Sequence, residues 1–184
     1  MAGRGQSFHC QVRVLEGVPV APLVILVLVT LALVGLRAVG VTGVPAWPFA
    51  VRCGVAAMFT ATGVAHFIGM REELIAMVPP AIAAPGLVIT VTGVLELVGA
   101  AGVLWHRTAL WAAAGLTAML VGMFPANVYA AEQGISPSFG DALLPRTLMQ
   151  LVFLAATVTI VVHYARARRS LDAREGVHGG TATR

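Results

Sequence analysis

Five long apolar runs dominate this sequence of 184 residues. About 20 residues of α-helix cross a hydrocarbon core of about 30 Å, and each run approaches that length. Strands of a membrane barrel would alternate apolar and polar side chains, whereas Leu23–Leu36 is almost continuously apolar. The sequence therefore predicts an all-α membrane protein with five transmembrane helices, in the runs Pro19–Leu36, Arg52–Gly69, Gly86–Leu104, Thr108–Ala126 and Leu148–Tyr164.

The charged residues, only 11% of the chain, predict the orientation of these helices. All twelve basic residues are Arg, spread over the ends and short loops, which favours a role in topology over nucleic-acid binding. One side of a five-helix protein would carry most of them and should be cytoplasmic, placing the N-terminus outside and the C-terminus inside. That side holds Arg37, Arg52, Arg107, Arg166, Arg168, Arg169, Arg174 and Arg184; the other holds Arg4, Arg13, Arg71 and Arg146.

The runs divide the chain into an N-terminal tail (1–17), an extra transmembrane helix (18–40), a four-helix domain (48–164) and a basic, disordered tail (165–184). The first run also resembles a secretion signal, but it is long and no A-x-A cleavage pattern follows it, which favours a retained helix. The Arg cluster of the last tail is typical of a stop-transfer signal in contact with lipid headgroups. Between the second and third runs, Arg71–Val78 predicts a short amphipathic helix at the outer interface.

Glu96 is the one charged residue of its run and falls near the middle of it. A charged side chain at a bilayer centre costs about 2.5–3.5 kcal/mol on insertion scales, so such groups usually face a protein interior or a watery cavity. With a rise of about 1.5 Å per residue, three threonines on other helices share its depth of roughly 14–18 Å. We therefore expect Glu96 in a deep polar layer with Thr60, Thr117 and Thr157.

A second polar layer is predicted within about 7 Å of the outer boundary. It contains His66 at the end of the second helix, Asn127 at the end of the fourth, and Arg146 with Gln150 at the start of the fifth. Together the two layers predict an antiparallel four-helix bundle with a polar funnel that opens outward, plus one additional N-terminal transmembrane helix.

Each polar residue also has a purely structural interpretation. Glu96 can be a protonated, hydrogen-bonded packing group, and His66 an anchor near the interface. Asn127 can satisfy carbonyl groups freed by Pro125, and Arg146 can extend to the lipid headgroups. These alternatives stay open at the level of sequence.

No cofactor or metal is identifiable from the sequence. His66 and His163 fall near opposite faces, which argues against bis-histidine haem, and Cys10 and Cys53 lie on opposite sides in this topology. One carboxylate with one distant His is too small a ligand set for a tetrahedral metal site, and the motifs of nucleotide-binding proteins, metalloproteases and serine hydrolases are absent from the sequence. The catalytic residues are therefore unknown.

Five segments in order make the chain resemble the DoxX-like family of small bacterial membrane proteins. They cover roughly Phe49–Tyr164 and are GVAHF (Gly63–Phe67), MVPP (Met77–Pro80), TGVLELVGAAGVL (Thr92–Leu104), FPANVYAA (Phe124–Ala131) and LPRTLMQLVF (Leu144–Phe153). The resemblance implies a four-helix bundle in the bacterial plasma membrane. The positions that it identifies as typical of the family are His66, Glu96, Pro125, Asn127, Arg146 and Gln150; the first helix lies outside it.

Two functions follow as expectations from this resemblance. The first is a membrane subunit or scaffold whose polar core stabilises the bundle or docks a protein partner. The second is a quinone-linked component of a membrane oxidoreductase, in which Glu96 handles a proton while Arg146, Asn127 and His66 bind an anionic or quinone ligand. The first is favoured because the sequence contains no recognisable redox centre.

Overall fold

The computed structural model of the protein describes residues 20–41, 43, 46–135 and 142–179. In these residues the secondary structure is helical, and five of the helices are long and apolar enough to cross a membrane, as the sequence predicts. The helices are α1 (Ala21–Ala38), α2 (Trp47–Ala65), the short α3 (Arg71–Ala76), α4 (Pro85–Leu104), α5 (Ala109–Glu132) and α6 (Leu143–Gly179).

Proline residues mark the beginning of three of these helices. Pro22, Pro48 and Pro85 occupy the first or second position of α1, α2 and α4, where the missing N–H group has no intrahelical partner to lose. Between α4 and α5, the Thr108 hydroxyl donates a hydrogen bond of 2.7 Å to the carbonyl of Gly102. This short turn places α4 and α5 side by side.

Helix α2 is central to the packing. It lies along both α1 and α4, while α5 lies along α6; smaller contacts join α4 to α5 and α2 to α6. Four helices each contribute at least one large apolar residue with no more than 2% exposure to the core, among them Phe59, Val103, Leu116 and Ile160. Helix α1 adds Leu26 to the same cluster from the far side of α2.

Large apolar side chains also cover the outside of the helices. Leu28 on α1, Leu87 and Val98 on α4 and Trp111 on α5 are each more than 60% exposed, while Arg52, His66, Glu96 and Gln150 are buried. In a soluble protein so much exposed apolar surface would be a liability; a hydrocarbon solvent makes it favourable. Helix α1 is the most apolar of the five and buries only 6% of its residues.

The two ends of the chain were predicted as tails. Residues 1–19, with Arg4, Cys10 and Arg13, lie outside the described residues, as do 136–141 and 180–184. At the C-terminal end, the tail from residue 165 is predicted as a short helical continuation that frays into disorder, and α6 continues through this segment to Gly179. The physical reason is the composition of this segment, in which Ala, Arg, Leu and Glu are good helix formers and proline is lacking.

Candidate functional site

Glu96 lies in the middle of α4 and its side chain points towards the end of α2. Its Oε2 atom is 3.9 Å from Nδ1 of His66, the residue that follows α2. Both residues are buried, at 4% and 3% exposure. The sequence places them in different layers, whereas the structure brings them together as one acid–imidazole pair. The Glu96 side chain thus faces a protein group in the interior of the helices.

Two glycines allow this close approach. A Cβ atom at Gly93 would lie 2.6 Å from the Cβ of His66, and one at Gly63 would lie 2.9 Å from the Leu97 side chain and 3.2 Å from the Cβ of Glu96. Gly63 precedes His66 by three residues, and Gly93 precedes Glu96 by three, so each glycine lies on the same helix face as its polar neighbour. This repeated spacing is visible in the sequence, but it does not show which faces of the two helices pack against each other.

The hydrogen bonds of His66 define which ring nitrogen carries a proton. Nδ1 lies 2.9 Å from the carbonyl oxygen of Thr62, which can only accept, so Nδ1 donates. Nε2 is then an acceptor when the ring is neutral. The Thr62 hydroxyl donates to carbonyls of its own helix, those of Met58 at 3.3 Å and Phe59 at 3.4 Å.

Two atoms of this pair have no hydrogen-bond partner. Among the described residues, the buried side-chain atoms without one are Thr30 Oγ1, His66 Nε2 and Glu96 Oε2. Buried polar atoms are rarely left in this state, and each such case calls for an explanation such as a ligand, a water molecule or a catalytic role. The pair therefore has the capacity to accept or donate one further hydrogen bond at each group.

Arg71, at the beginning of α3, holds the segment next to this pair. Its guanidinium donates to the carbonyl of His66 at 3.1 Å, and also to the carbonyl of Gly86 at 3.2 Å and the hydroxyl of Thr90 at 3.1 Å. The short helix is thus tied to the first turns of α4. Sequence reasoning treated Arg71 as a charge on the outer side and did not identify these contacts.

The three threonines of the predicted deep layer do not assemble around Glu96 through their hydroxyl groups. Thr157 is fully buried, Thr117 is half-buried and Thr60 is exposed on the outside of α2. Each hydroxyl donates to the carbonyl four residues earlier in its own helix. This local bond satisfies a threonine without any partner on another helix, which is why similar depth alone does not predict a shared layer.

A second polar region joins α5 to α6. Nη1 of Arg146 donates to Oδ1 of Asn127 at 3.2 Å, and the buried amide of Gln150 donates to the carbonyl of Leu120 at 2.5 Å. Pro125 lies five residues further along α5; the carbonyl that loses its intrahelical N–H donor to this proline is that of Val121, the neighbour of Leu120. The predicted outer layer is thus divided, with His66 beside Glu96 and the other three residues between α5 and α6.

Arg52 is a buried polar residue that the sequence places at the very start of the second transmembrane run and counts among the charges of the cytoplasmic side. It is 4% exposed, and its guanidinium donates to the carbonyls of Val103 and Leu104 at the end of α4 and to the Tyr164 hydroxyl of α6. Its Cζ atom also lies 5.6 Å from the ring centre of Phe49 and 5.3 Å from that of Tyr164. Pro48 could have revealed this position, because a helix that begins there places Arg52 more than one turn inside it.

The described residues contain no group of three or more His, Cys, Asp or Glu side chains that could hold a metal ion. Cys53 is half-buried on α2, and Cys10 lies outside the described residues. His163 is near the other end of the helices from His66, with its ring in edge contact with Trp47 at 5.7 Å. These positions provide no basis for naming a cofactor.

One family model matches the chain, over residues 55–165, and its description is a domain of unknown function, DUF8561. The match begins within α2, ends within α6 and includes the His66–Glu96 pair. Comparison with curated proteins and with solved structures finds no match. Because the matched region is more than half of the sequence, the chain belongs to the DUF8561 family.

Proposed function

We propose that this chain is a multi-pass protein of the bacterial plasma membrane. In this proposal α2, α4, α5 and α6 form an antiparallel four-helix bundle and α1 is an additional transmembrane helix, with the N-terminus outside and the C-terminus in the cytoplasm. Five long apolar helices and the exposed apolar side chains support the membrane placement. The distribution of Arg residues supports the orientation.

Within the membrane, the proposed function is that of a subunit or scaffold that docks a protein partner. The observation that carries this proposal is the use of the buried polar side chains. Arg52 binds the end of α4 and Tyr164, and Gln150 binds the backbone of α5. Such bonds hold helices in a fixed arrangement, as a docking surface requires, and they occupy groups that would otherwise be available for chemistry.

Affinity purification of the full chain from gently solubilised membranes tests this function. We expect one protein to co-purify in fixed proportion to the chain, and not with an unrelated multi-pass protein of similar abundance. Recovery of the chain alone, in several mild detergents and after cross-linking in intact membranes, would contradict the scaffold.

A second candidate is a quinone-linked component of a membrane oxidoreductase, and the open atoms of the His66–Glu96 pair favour it. Reduction of a quinone to a quinol takes two electrons and two protons. In this candidate another subunit of the oxidoreductase supplies the electrons, Glu96 transfers a proton, and His66, with Arg146 and Asn127, contributes to ligand binding. The resemblance to DoxX-like proteins supports the choice of quinone.

The substitution Glu96→Gln separates the two candidates, because glutamine keeps the size and hydrogen bonding of the side chain but cannot ionise. A scaffold keeps its protein partner in this variant, and quinone reduction by the membranes is unchanged. A proton-transferring component loses quinone reduction while the partner is still recovered. The exposed Glu132 provides the control: Glu132→Gln removes the same charge at the end of α5 and should change neither measurement.

A further inference from the structure

A groove of about 630 Å³ runs along one face of α6 at the end opposite to His66. Trp47, at the beginning of α2, forms its other wall. The residues of α6 that line it follow one stripe of the helix: Val158, Thr159, Val162, His163, Arg166, Ala167 and Ser170.

The chemistry of this stripe changes along the helix axis. Val158 and Val162 make the part nearer the middle of the apolar run, and Arg166 follows about 12 Å beyond Val158 at a rise of about 1.5 Å per residue. A phospholipid has the same order, with an apolar chain inside and a phosphate at the boundary. A soluble phosphate compound has no apolar chain that could pack against Val158 and Val162.

The polar half carries hydrogen-bond donors and positive charge. Arg166 is exposed, and the residues that line the groove include no acid. The Trp47 side chain, 52% exposed, presents an indole N–H, a group that favours the membrane interface. Neighbouring aromatic rings hold the indole in place. The ring centre of Trp47 lies 5.7 Å from that of His163, which in turn lies 5.2 Å from that of Tyr164.

We infer that this groove binds an anionic phospholipid, with the phosphate at Arg166 and Trp47 and an acyl chain along Val158 and Val162. The inference rests on the proposed membrane placement of α6. It assigns headgroup binding to one face of the basic segment, whereas a general attraction of the Arg cluster to the membrane would involve all faces alike.

The experiment uses Trp47 as its own probe. Full-length protein with Trp105→Phe and Trp111→Phe keeps a single tryptophan and is reconstituted in phosphatidylcholine vesicles. A small fraction of lipid brominated on the acyl chains is added, either as phosphatidylglycerol or as phosphatidylcholine, and quenching of the fluorescence is measured. We expect the anionic lipid to reach half-maximal quenching at about one fifth of the concentration needed for the zwitterionic lipid, as about 1 kcal/mol per basic residue predicts.

Arg166→Gln should abolish this preference, and Arg168→Gln is the matched control. Arg168 is two residues further, about 200° around the helix, so it presents the same charge on another face. Equal quenching by the two lipids in the parent protein, or an equal loss in both Arg variants, would overturn the inference. Absence of quenching by either lipid would instead contradict the membrane placement, so the two failures are distinguishable.

Discussion

Arg52 and Glu96 are buried to the same extent, each 4% exposed, but their surroundings differ. The Arg52 guanidinium donates to two carbonyls of α4 and one hydroxyl of α6, and two aromatic rings lie beside it. The Glu96 carboxyl has His66 at 3.9 Å, beyond hydrogen-bond distance, and one oxygen without a partner. Each guanidinium nitrogen of Arg52 thus has a hydrogen-bond partner, and we call Arg52 and its partners the complete set. Glu96 and His66 each keep an atom without a partner, and we call this pair the incomplete set.

This difference separates a structural tie from a candidate site. A buried polar group with all its hydrogen bonds stabilises one helix arrangement, and removing it leaves its partners unsatisfied. A buried group with an open atom adds little to stability, but it can accept a ligand or a proton. The residues 96 and 66 are therefore the place to seek function, and residue 52 the place to seek stability.

The largest effect is expected from Arg52→Met, which removes all three hydrogen bonds of the complete set. We predict a loss of about 2–4 kcal/mol in the free energy of unfolding, because the last carbonyls of α4 lose their donor and membrane hydrogen bonds contribute about 0.6–1.7 kcal/mol each. Denaturant unfolding of the detergent-solubilised protein measures it. Arg107→Met removes a charge from an exposed residue nearby and should change stability by less than about 0.5 kcal/mol. Similar losses in both variants would remove the distinction.

A smaller loss in the free energy of unfolding, about 1–3 kcal/mol, is expected when α2 and α4, the helices next to His66 and Glu96, are forced apart. Gly93→Ala places a methyl group 2.6 Å from the Cβ of His66, so α2 and α4 must separate. The control is Gly122→Ala, where a Cβ meets nothing within 4 Å. Unfolding curves of both variants, compared with the parent, measure the effect. A tolerated Gly93→Ala would mean that the contact between His66 and α4 is loose.

Removing the Tyr164 hydroxyl tests how much one hydrogen bond of Arg52 contributes to the stability of the protein. Tyr164→Phe keeps the ring beside Arg52 but removes the oxygen that accepts from Nη1 at 2.6 Å. We predict a loss of about 1 kcal/mol, a fraction of that for Arg52→Met. A double variant should then lose no more than Arg52→Met alone; full additivity of the two losses would show that the hydroxyl acts independently of Arg52.

The smallest change in stability is expected from Glu96→Gln, which alters the incomplete set without changing its shape. Since one carboxyl oxygen has no hydrogen bond to lose, we predict a change of about 0.5 kcal/mol or less, in either direction. The same unfolding measurement applies. A loss comparable to that of Arg52→Met would assign Glu96 to the structural ties and oppose a role for it in ligand or proton binding.

Particular residues mark the limit of prediction from the sequence. The five apolar helices and the burial of Glu96, His66 and Gln150 could be predicted, because a polar group inside an apolar run must avoid lipid. The residue that each of these three side chains contacts could not be predicted. Depth counted along helices grouped Glu96 with Thr60, Thr117 and Thr157, but it carries no information on rotation of a helix about its axis, and threonine can bond within its own helix.

The sequence by itself determined the helical class, the number of long apolar helices and the presence of polar groups within them, because these depend on runs of neighbouring residues. Only the tertiary structure decided that Glu96 meets His66 across Gly63 and Gly93, and that Arg52 holds the end of α4. The physical reason is that these contacts join residues far apart in sequence, and their distances depend on how closely two helices approach and which faces they turn to each other.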